Sequence, residues 1–460
     1  MSGKIMKRSF IEKVLGHSIS QHDSEIRGVT LDSRTLEKGE LFVALPGEKV
    51  DGHMFVKEAL DKGAAAVLIS QDVGLKSSRL IRVTDTTKAL GQIAAAWREK
   101  LDPLLIGITG SNGKTTVKEL TLQVLTDHFG KDRVLGTAGN LNNHLGVPLT
   151  LLRLRPSHRY AVVEMGMNHP HEIAYLSHLA KPDIALVNNV FETHIGCHGF
   201  TCLEDIARAK AEIFSGLSAD GLAVVSEQAK SFKVIDEAIQ AFHHLSFGLA
   251  QDNDVYVKKI CLNTKKTTYQ VSDKQQTAQV RINLLGQHNV FNSMAVFAIL
   301  QGVPGLNWQA IAESLARYRS GIGRQVISYL PNGVTLIDDS YNANPMAMRC
   351  AIDVLANYPQ SRILVMGDMG ELGKRSQGLH QEIGHYAKKH GITYLLALGP
   401  ESQATVTGFG DRAFHYANHQ DLVKDLDILL KEQKNAVVLV KGSRFMHMEK
   451  VCQALLCKEE

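Results

Sequence analysis

Residues 104–119 read LLIGITGSNGKTTVKE, an apolar run that breaks into glycines, then a lysine and two threonines, then a helical pattern. Strand, loop and helix in that order put backbone N–H groups at a helix N-terminus, where polyphosphate is held. Gly110 and Gly113 let those N–H groups turn inward, Lys114 supplies a point charge, and Thr115 can offer a hydroxyl to Mg²⁺ at the start of the helix. The spacing is a variant of the general P-loop: where that pattern has its first glycine this chain has Ile108, flanked by Gly107 and Gly110.

At 460 residues the chain is expected to hold about three domains of 100 to 200 residues each. A hydrophobic content of 44% with 21% charged residues is ordinary for a globular protein, and a net charge of +4 is too mild to argue for nucleic acid. No apolar stretch approaches a membrane span, and MSGKIMKRSFIEKVLG alternates charged and apolar residues instead of forming a signal-peptide core, so a cytoplasmic location is expected. The six cysteines are scattered without a Cys-x-x-Cys pair, which suits reduced thiols.

The pattern is α/β throughout. Residues 1–83 read as a small α/β domain, with apolar runs at 41–45 and 64–69 around a helical stretch at 55–62. Ser33 and Arg34 in one turn, and Asp51, Gly52 and His53 in another, can bind a diphosphate or sugar, or are surface turn chemistry. Residues 84–320 form the central domain around the phosphate loop, and its 221–283 segment reads as an antiparallel appendage. Residues 321–460 alternate strand and helix as a Rossmann-like, doubly wound domain without a dinucleotide fingerprint.

Polar residues gather where strands end, the places that bind ligands in open parallel sheets. Glu164 follows the run YAVV and His194 follows a second run, so a carboxylate and an imidazole stand near the phosphate loop as a Mg²⁺ site. TAGNLNNH offers Thr137, Asn140, Asn142, Asn143 and His144 to a polar ligand, or to Asx turns. Asn289 and Asn292, three apart on a helix, can face one ligand; Asn289 can instead cap that helix. In the C-terminal domain Arg324, Asp338, Asp339, Tyr341, Asn342, Asn344, Asp368, Glu371, Lys441 and Arg444 occupy comparable places. His194, Cys197, His198 and Cys202 are soft donors without the paired spacing of a zinc site, and the histidines of HQEIGH are five apart, off a shared helix face.

In LEDIARAKAEIFSGL, Ile206, Lys210, Ile213, Phe214 and Leu217 fall on one helical stripe, so Lys210 is expected on the buried face. Desolvation there favours a neutral amine that can capture CO₂ as a carbamate, an anionic ligand for a metal; the competing expectation is a lysine snorkelling to solvent.

GITGSNGKTT, TAGNLNNHLGVPLTLL, VVEMG, AKAEIF, GQHNVFNSMA, IDDSYNANP and VMGDMGELG, in this order, resemble the Mur ligases over nearly the whole chain. The resemblance implies ATP contacts at Gly107, Thr109, Gly110, Ser111, Asn112, Gly113, Lys114, Thr115, Thr116, Asn289, Asn292, Arg324 and Asp339. It implies Mg²⁺ at Thr115, Glu164, His194 and Lys210 as a carbamate, with Lys114, Glu164, His194 and Lys210 as the catalytic set. Substrate contacts are implied at Ser33, Arg34, Asp51, Gly52, His53, Thr137, Asn140, Asn143, Tyr341, Asn342 and Asn344. YNANP and GDMGELG resemble the members that join D-alanyl-D-alanine to UDP-N-acetylmuramoyl tripeptide through an acyl phosphate, and the Asp-Asn-Pro-Arg motif of the members adding the third residue is absent. Working as a monomer is expected. Two departures are local: the loop after His194 reads GCHGF, and the GLAVVSEQ strand lacks an Asn frequent in the family. A folate-polyglutamylating ligase shares the central pattern, but GVTLDSR argues against it; a P-loop NTPase without an acceptor, or a non-catalytic nucleotide-sugar binder, are further alternatives.

Overall fold

The computed structural model describes residues 6–19, 23–47, 50–192, 195–196 and 199–457. The sheet that carries the phosphate loop has nine strands, and the strand Leu104–Thr109 lies inside it, paired in parallel with Tyr160–Glu164 on one side and Ile184–Val187 on the other. Both flanking strands are nearly continuous runs of buried apolar residues, as a parallel strand covered on two faces requires. After Leu104–Thr109 the chain builds one side of the sheet and then returns to the other, so this strand sits where the strand order reverses. Such a switch point opens a crevice beyond the carboxyl ends of the strands.

Helix Lys114–Phe129 packs on one face of the sheet beside helix Gln287–Leu300, which is buried almost all round. The opposite face is covered by helices that include Thr86–Leu101 and Glu172–Ala180, and its core runs on into the N-terminal region. Asp85 caps Thr86–Leu101 by accepting from the Lys88 N–H at 3.0 Å.

The 221–283 segment is only partly antiparallel. Leu222–Ser226 and His243–Gly248 continue the parallel sheet, and Val255–Leu262 joins it in parallel through two residue pairs, Phe247 with Val255 and Gly248 with Tyr256. With so short an overlap no full crossover is needed. The antiparallel part is the meander of Val255–Leu262, Thr267–Ser272 and Thr277–Ile282.

A separate four-stranded parallel sheet, Val29–Thr30, Leu41–Val43, Ala66–Ile69 and Leu80–Arg82, forms the N-terminal unit. The C-terminal unit is a six-stranded sheet in the order Val326–Tyr329, Thr335–Asp338, Val437–Lys441, Arg362–Gly367, Tyr394–Leu398 and Ala413–Tyr416, parallel except for its first strand. Separate cores cover its two faces, which makes it doubly wound. Among the described residues no helix is long and apolar enough to cross a membrane.

Candidate active site

The carboxyl end of Leu104–Thr109 opens into a cavity of about 1040 Å³ between the nine-stranded and six-stranded sheets. Gly113, at φ 79°, turns the chain into helix Lys114–Phe129. A Cβ there would stand 2.2 Å from Asn292 Oδ1 and 2.7 Å from Asn188 Nδ2, so both the backbone angle and the space demand glycine. Lys114 Nζ donates to the loop's own carbonyl at Gly110, 2.7 Å away. The protein around this ammonium lowers its pKa by desolvation, while the Glu164 carboxylate acts in the opposite sense.

Glu164, 2% exposed at the end of its strand, is held from three directions. Its carboxylate accepts from Thr115 Oγ1 at 2.9 Å and from Asn142 Nδ2 at 2.8 Å, and its backbone N–H donates to Thr137 Oγ1 at 3.0 Å. Thr115 and Glu164 thus bring a hydroxyl and a carboxylate together at the mouth of the loop. Hard oxygen donors of this kind suit Mg²⁺. His194, with Cys197 and His198, lies outside the described residues, and no group of three or more His, Cys, Asp or Glu among the described residues can hold a metal.

Lys210 lies on helix Leu203–Ala211, 3% exposed, above Ile206, Ile213 and Phe214, which are also buried. The α-helix stops at Ala211 and tightens into a 3₁₀ turn over Glu212–Gly216, so the apolar stripe crosses a change of helix type. At that exposure the ammonium does not reach solvent. Burial pushes its pKa well down, and the nearby Lys114 charge adds to the effect.

A chain of side-chain amides surrounds the loop. Asn188 Nδ2 donates to the Asn112 carbonyl and to Asn292 Oδ1, both at 3.0 Å, and Asn292 Nδ2 donates to Asn289 Oδ1 at 3.0 Å. Asn289 Nδ2 in turn reaches the Leu285 carbonyl at 2.8 Å and Gln325 Oε1 at 3.1 Å. Asn289 and Asn292 therefore line the cavity and support the loop at once, and the N-cap of their helix is Gly286.

The facing wall belongs to the C-terminal unit. Arg324 stacks on the Tyr341 ring, 3.9 Å from its centroid, and Lys441 Nζ lies 2.6 Å from Asp339 Oδ2. Burial raises the Asp339 pKa and Lys441 counteracts it. Asn342, Asn344 and Glu371 line the same wall. Gln325 and Glu371 hold left-handed backbone angles, φ 56° and 62°, that are strained for residues with a Cβ.

Ser111, Asn112, Gly113, Lys114, Thr115, Thr116, Asn140, Glu164, Asn289, Asn292, Arg324, Asp339, Tyr341, Asn342 and Asn344 are brought to this one cavity. Thr137 lies behind Glu164, and Asn143 Oδ1 accepts from the Leu145 and Gly146 N–H groups as an Asx turn does. Gly107 and Thr109 are in the strand and Gly110 directly follows it, behind the loop mouth.

The N-terminal residues stand apart. Arg34 is exposed and clasps Asp32, while Ser33 Oγ donates to Glu58. His53 is buried and spent inside the fold: its Nε2 accepts from the Ser70 N–H at 2.9 Å, which leaves Nδ1–H to donate to Asp51 Oδ1 at 2.7 Å. A Cβ on Gly52 would stand 2.7 Å from the Leu45 backbone nitrogen, which explains the glycine of that turn. In HQEIGH, His380 accepts from the Met369 N–H through Nε2 and His385 is exposed, so the two do not converge.

Sequence reasoning passed over Asn188, Asn189, Gln228, His288 and Gln325, all on the cavity wall. The Asn188–Asn189 pair directly follows strand Ile184–Val187, and the strand-end rule that selected Glu164 applies to it equally. His288 carries its own signature: burial, with the Lys441 charge beside it, pushes its pKa down to about 4.

Three stretches of the chain match descriptions of one family. Residues 108–300 match the description "Mur ligase middle domain", 323–444 "Mur ligase, glutamate ligase domain", and 25–98 "Mur ligase family, catalytic domain". The chain is 38% identical over 450 residues to the UDP-N-acetylmuramoyl-tripeptide–D-alanyl-D-alanine ligase of Escherichia coli (strain K12), covering 97% of each. Among solved structures it superposes on MurF from Acinetobacter baumannii with a TM-score of 0.91 and 32% identity, covering 99% of this chain and 100% of that one. It superposes on MurF from Thermotoga maritima, solved in complex with ADP, with a TM-score of 0.82 and 26% identity over 94% and 98% of the two chains. The likeness spans nearly the whole molecule in sequence and in fold, and the chain belongs to the Mur ligase family.

Proposed function

We propose that the chain is an ATP-dependent ligase that joins D-alanyl-D-alanine to UDP-N-acetylmuramoyl tripeptide in peptidoglycan precursor synthesis. The observation that carries this reading is one cavity with the phosphate loop and Glu164 on one wall and Arg324, Asp339 and Lys441 on the other. The name of the Escherichia coli relative, at 38% identity over nearly all of both chains, supports the substrate pair.

The chemistry follows from charge. A carboxylate oxygen is a poor leaving group and phosphate a good one, so the tripeptide carboxylate attacks the γ-phosphorus of ATP, ADP departs, and an acyl phosphate forms. The amine of the dipeptide then attacks the acyl carbon, an amide bond forms, phosphate leaves, and the amine gives up a proton. Bringing two anions together needs fixed positive charge and aligned donors, which Lys114 and the N–H groups at the start of its helix supply. Lys114 Nζ exchanges the Gly110 carbonyl for phosphate oxygen in this scheme.

Thr115 and Glu164 are the residues that would hold Mg²⁺, and His194 is assigned to the same ion on the sequence alone; the ion would offset phosphate charge when bound. Lys210 is assigned a second, carbamylated metal site, on the strength of its burial and its depressed pKa. Asn289, Asn292, Arg324 and Asp339 are assigned to the nucleotide, and Tyr341, Asn342 and Asn344 with Asn140 to the peptide substrates. The uridine nucleotide is assigned to residues 1–83, where Arg34 is exposed, leaving 84–320 to ATP and 321–460 to closing the cleft. A monomer acting in the cytoplasm completes the reading.

The test is phosphate release from ATP against a panel of UDP-muramoyl peptides, each with and without D-alanyl-D-alanine. Sustained release only with the tripeptide precursor and the dipeptide is expected. Equal turnover with an L-amino acid on a dipeptide precursor would identify a tripeptide-forming ligase instead, and release independent of any amine would identify a plain NTPase.

A further inference from the structure

Lys118 is a charged side chain with no accessible surface, one turn beyond Thr115 on helix Lys114–Phe129. Residues three apart on a helix share a face, so Thr115 and Lys118 point toward the same neighbouring strands. Lys118 Nζ donates to the Thr137 carbonyl at 2.9 Å and lies 2.9 Å from Glu119 Oε1. Thr137 is 3% exposed; its N–H donates to the Val162 carbonyl at 3.1 Å, and its hydroxyl accepts from the Glu164 N–H. The Glu164 carboxylate returns to Thr115, closing a ring of Thr115, Lys118, Thr137 and Glu164.

Packing alone does not call for an ammonium here. A methionine of similar length would fill the space without the cost of burying charge. Besides its ion pair with Glu119, the ammonium adds a charge-assisted hydrogen bond, which fixes the Thr137 backbone more tightly than an apolar contact does. Thr137 then pins the Glu164 main chain, while Thr115 pins its side chain.

We infer that Lys118 is a positioning residue for the divalent cation: acting through Thr137, it holds the Glu164 carboxylate against the Thr115 hydroxyl. The inference rests on the assignment of Thr115 and Glu164 to that cation. It places Lys118 outside contact with nucleotide or peptide.

The test compares Lys118→Met, Thr137→Val and Glu164→Gln in the full chain. Three readouts are taken: Mn²⁺ affinity by electron paramagnetic resonance with a non-hydrolysable ATP analogue bound, ADP affinity without metal, and thermal unfolding. Removing a group that orients a metal ligand typically weakens binding 10- to 100-fold. Lys118→Met and Thr137→Val are each expected to weaken Mn²⁺ binding by about tenfold, at the low end of that range. Metal-free ADP affinity is expected to stay unchanged, and the double variant to be no weaker than the worse single one.

A folded Lys118→Met that binds Mn²⁺ like the parent, with only its melting temperature lowered, would show a purely structural lysine and overturn the inference. If Lys118→Met does not fold, Thr137→Val decides alone, and parental Mn²⁺ affinity in that variant overturns it. Parental affinity in Glu164→Gln would instead reject the metal assignment, and the inference with it.

Discussion

Asn344 caps helix Pro345–Ala356 with its side-chain oxygen, which accepts from the Ala347 N–H at 2.8 Å, and with its amide donates to Asn112 Oδ1 across 2.6 Å. One side chain therefore starts a helix of the C-terminal unit and touches the phosphate loop of the central one. Through Asn112, Asn188 and Asn292 the contact continues to Asn289 and back to Gln325, so the two walls of the cavity are joined by side-chain amides.

The two roles of Asn344 separate on substitution. Asn344→Ala loses both and is expected to lower stability by about 1 kcal/mol, the usual value of an N-cap. Asn344→Ser keeps a capping oxygen but is too short to reach Asn112, so it should recover most of the stability. Both variants should lose kcat/KM for ATP by about 2- to 10-fold, the range for one neutral hydrogen bond. Full kinetic recovery in Asn344→Ser would show that the bridge to Asn112 has no part in turnover.

Lys114→Ala removes the charge that faces the phosphates. Turnover of ATP is expected to fall on the order of 10²- to 10³-fold, as when an aligned donor to developing charge is lost. Circular dichroism and the melting temperature should hold, because among the described residues Lys114 Nζ bonds to its own loop carbonyls at Gly110 and Ser111. Normal phosphate release would reject the loop assignment.

Lys210→Ala is expected to lose activity on the order of 10²-fold, with little loss of stability. Formate or acetate can enter the vacated pocket and present the missing oxygens, so either should restore part of the rate. Lys210→Arg should not respond, because its positive charge stays in place. Near-parental activity of Lys210→Ala in CO₂-depleted buffer would sink the carbamate.

The parts of the site that the sequence disclosed are those fixed by local rules. The loop is legible because strand, glycines, lysine and helix are contiguous, and Glu164 because it ends an apolar run. The burial of Lys210 follows from its stripe, yet the break at Ala211 does not, since helical periodicity is nearly blind to a switch from α to 3₁₀. His53 shows the opposite limit: its turn looked equally suited to a ligand or to internal bonding, and only the approach of Ser70 and Asp51 shows both ring nitrogens engaged. The strand His243–Gly248 alternates in hydropathy like an antiparallel strand but pairs in parallel, a choice made by its neighbours and not by its composition.

His288 makes stability depend on pH. Its pKa falls from 6.5 to about 4 on folding, so between those values the unfolded chain takes up a proton that the folded chain refuses. The stabilisation is therefore complete above pH 6.5 and is lost as the pH drops toward 4, by up to about 1.4 kcal/mol per pH unit. Urea unfolding of His288→Gln should show a shallower loss over that window than the parent. Identical slopes would remove His288 as a source of acid sensitivity.

The position of Leu104–Thr109 inside its sheet also bears on how the chain reaches its fold. Leu104 pairs with Tyr160 and Ile106 with Ile184, whereas Ser272 pairs with Thr277 only a turn away. Closing long loops costs entropy before any contact offsets it, so local hairpins have the kinetic advantage. Pulsed hydrogen exchange during refolding is expected to protect the amides of Thr267–Ile282 before those of Leu104–Thr109. A newly made chain would then hold its antiparallel meander while the strand that bears the phosphate loop still lacks neighbours, and nucleotide, arriving last, would capture only the finished molecule.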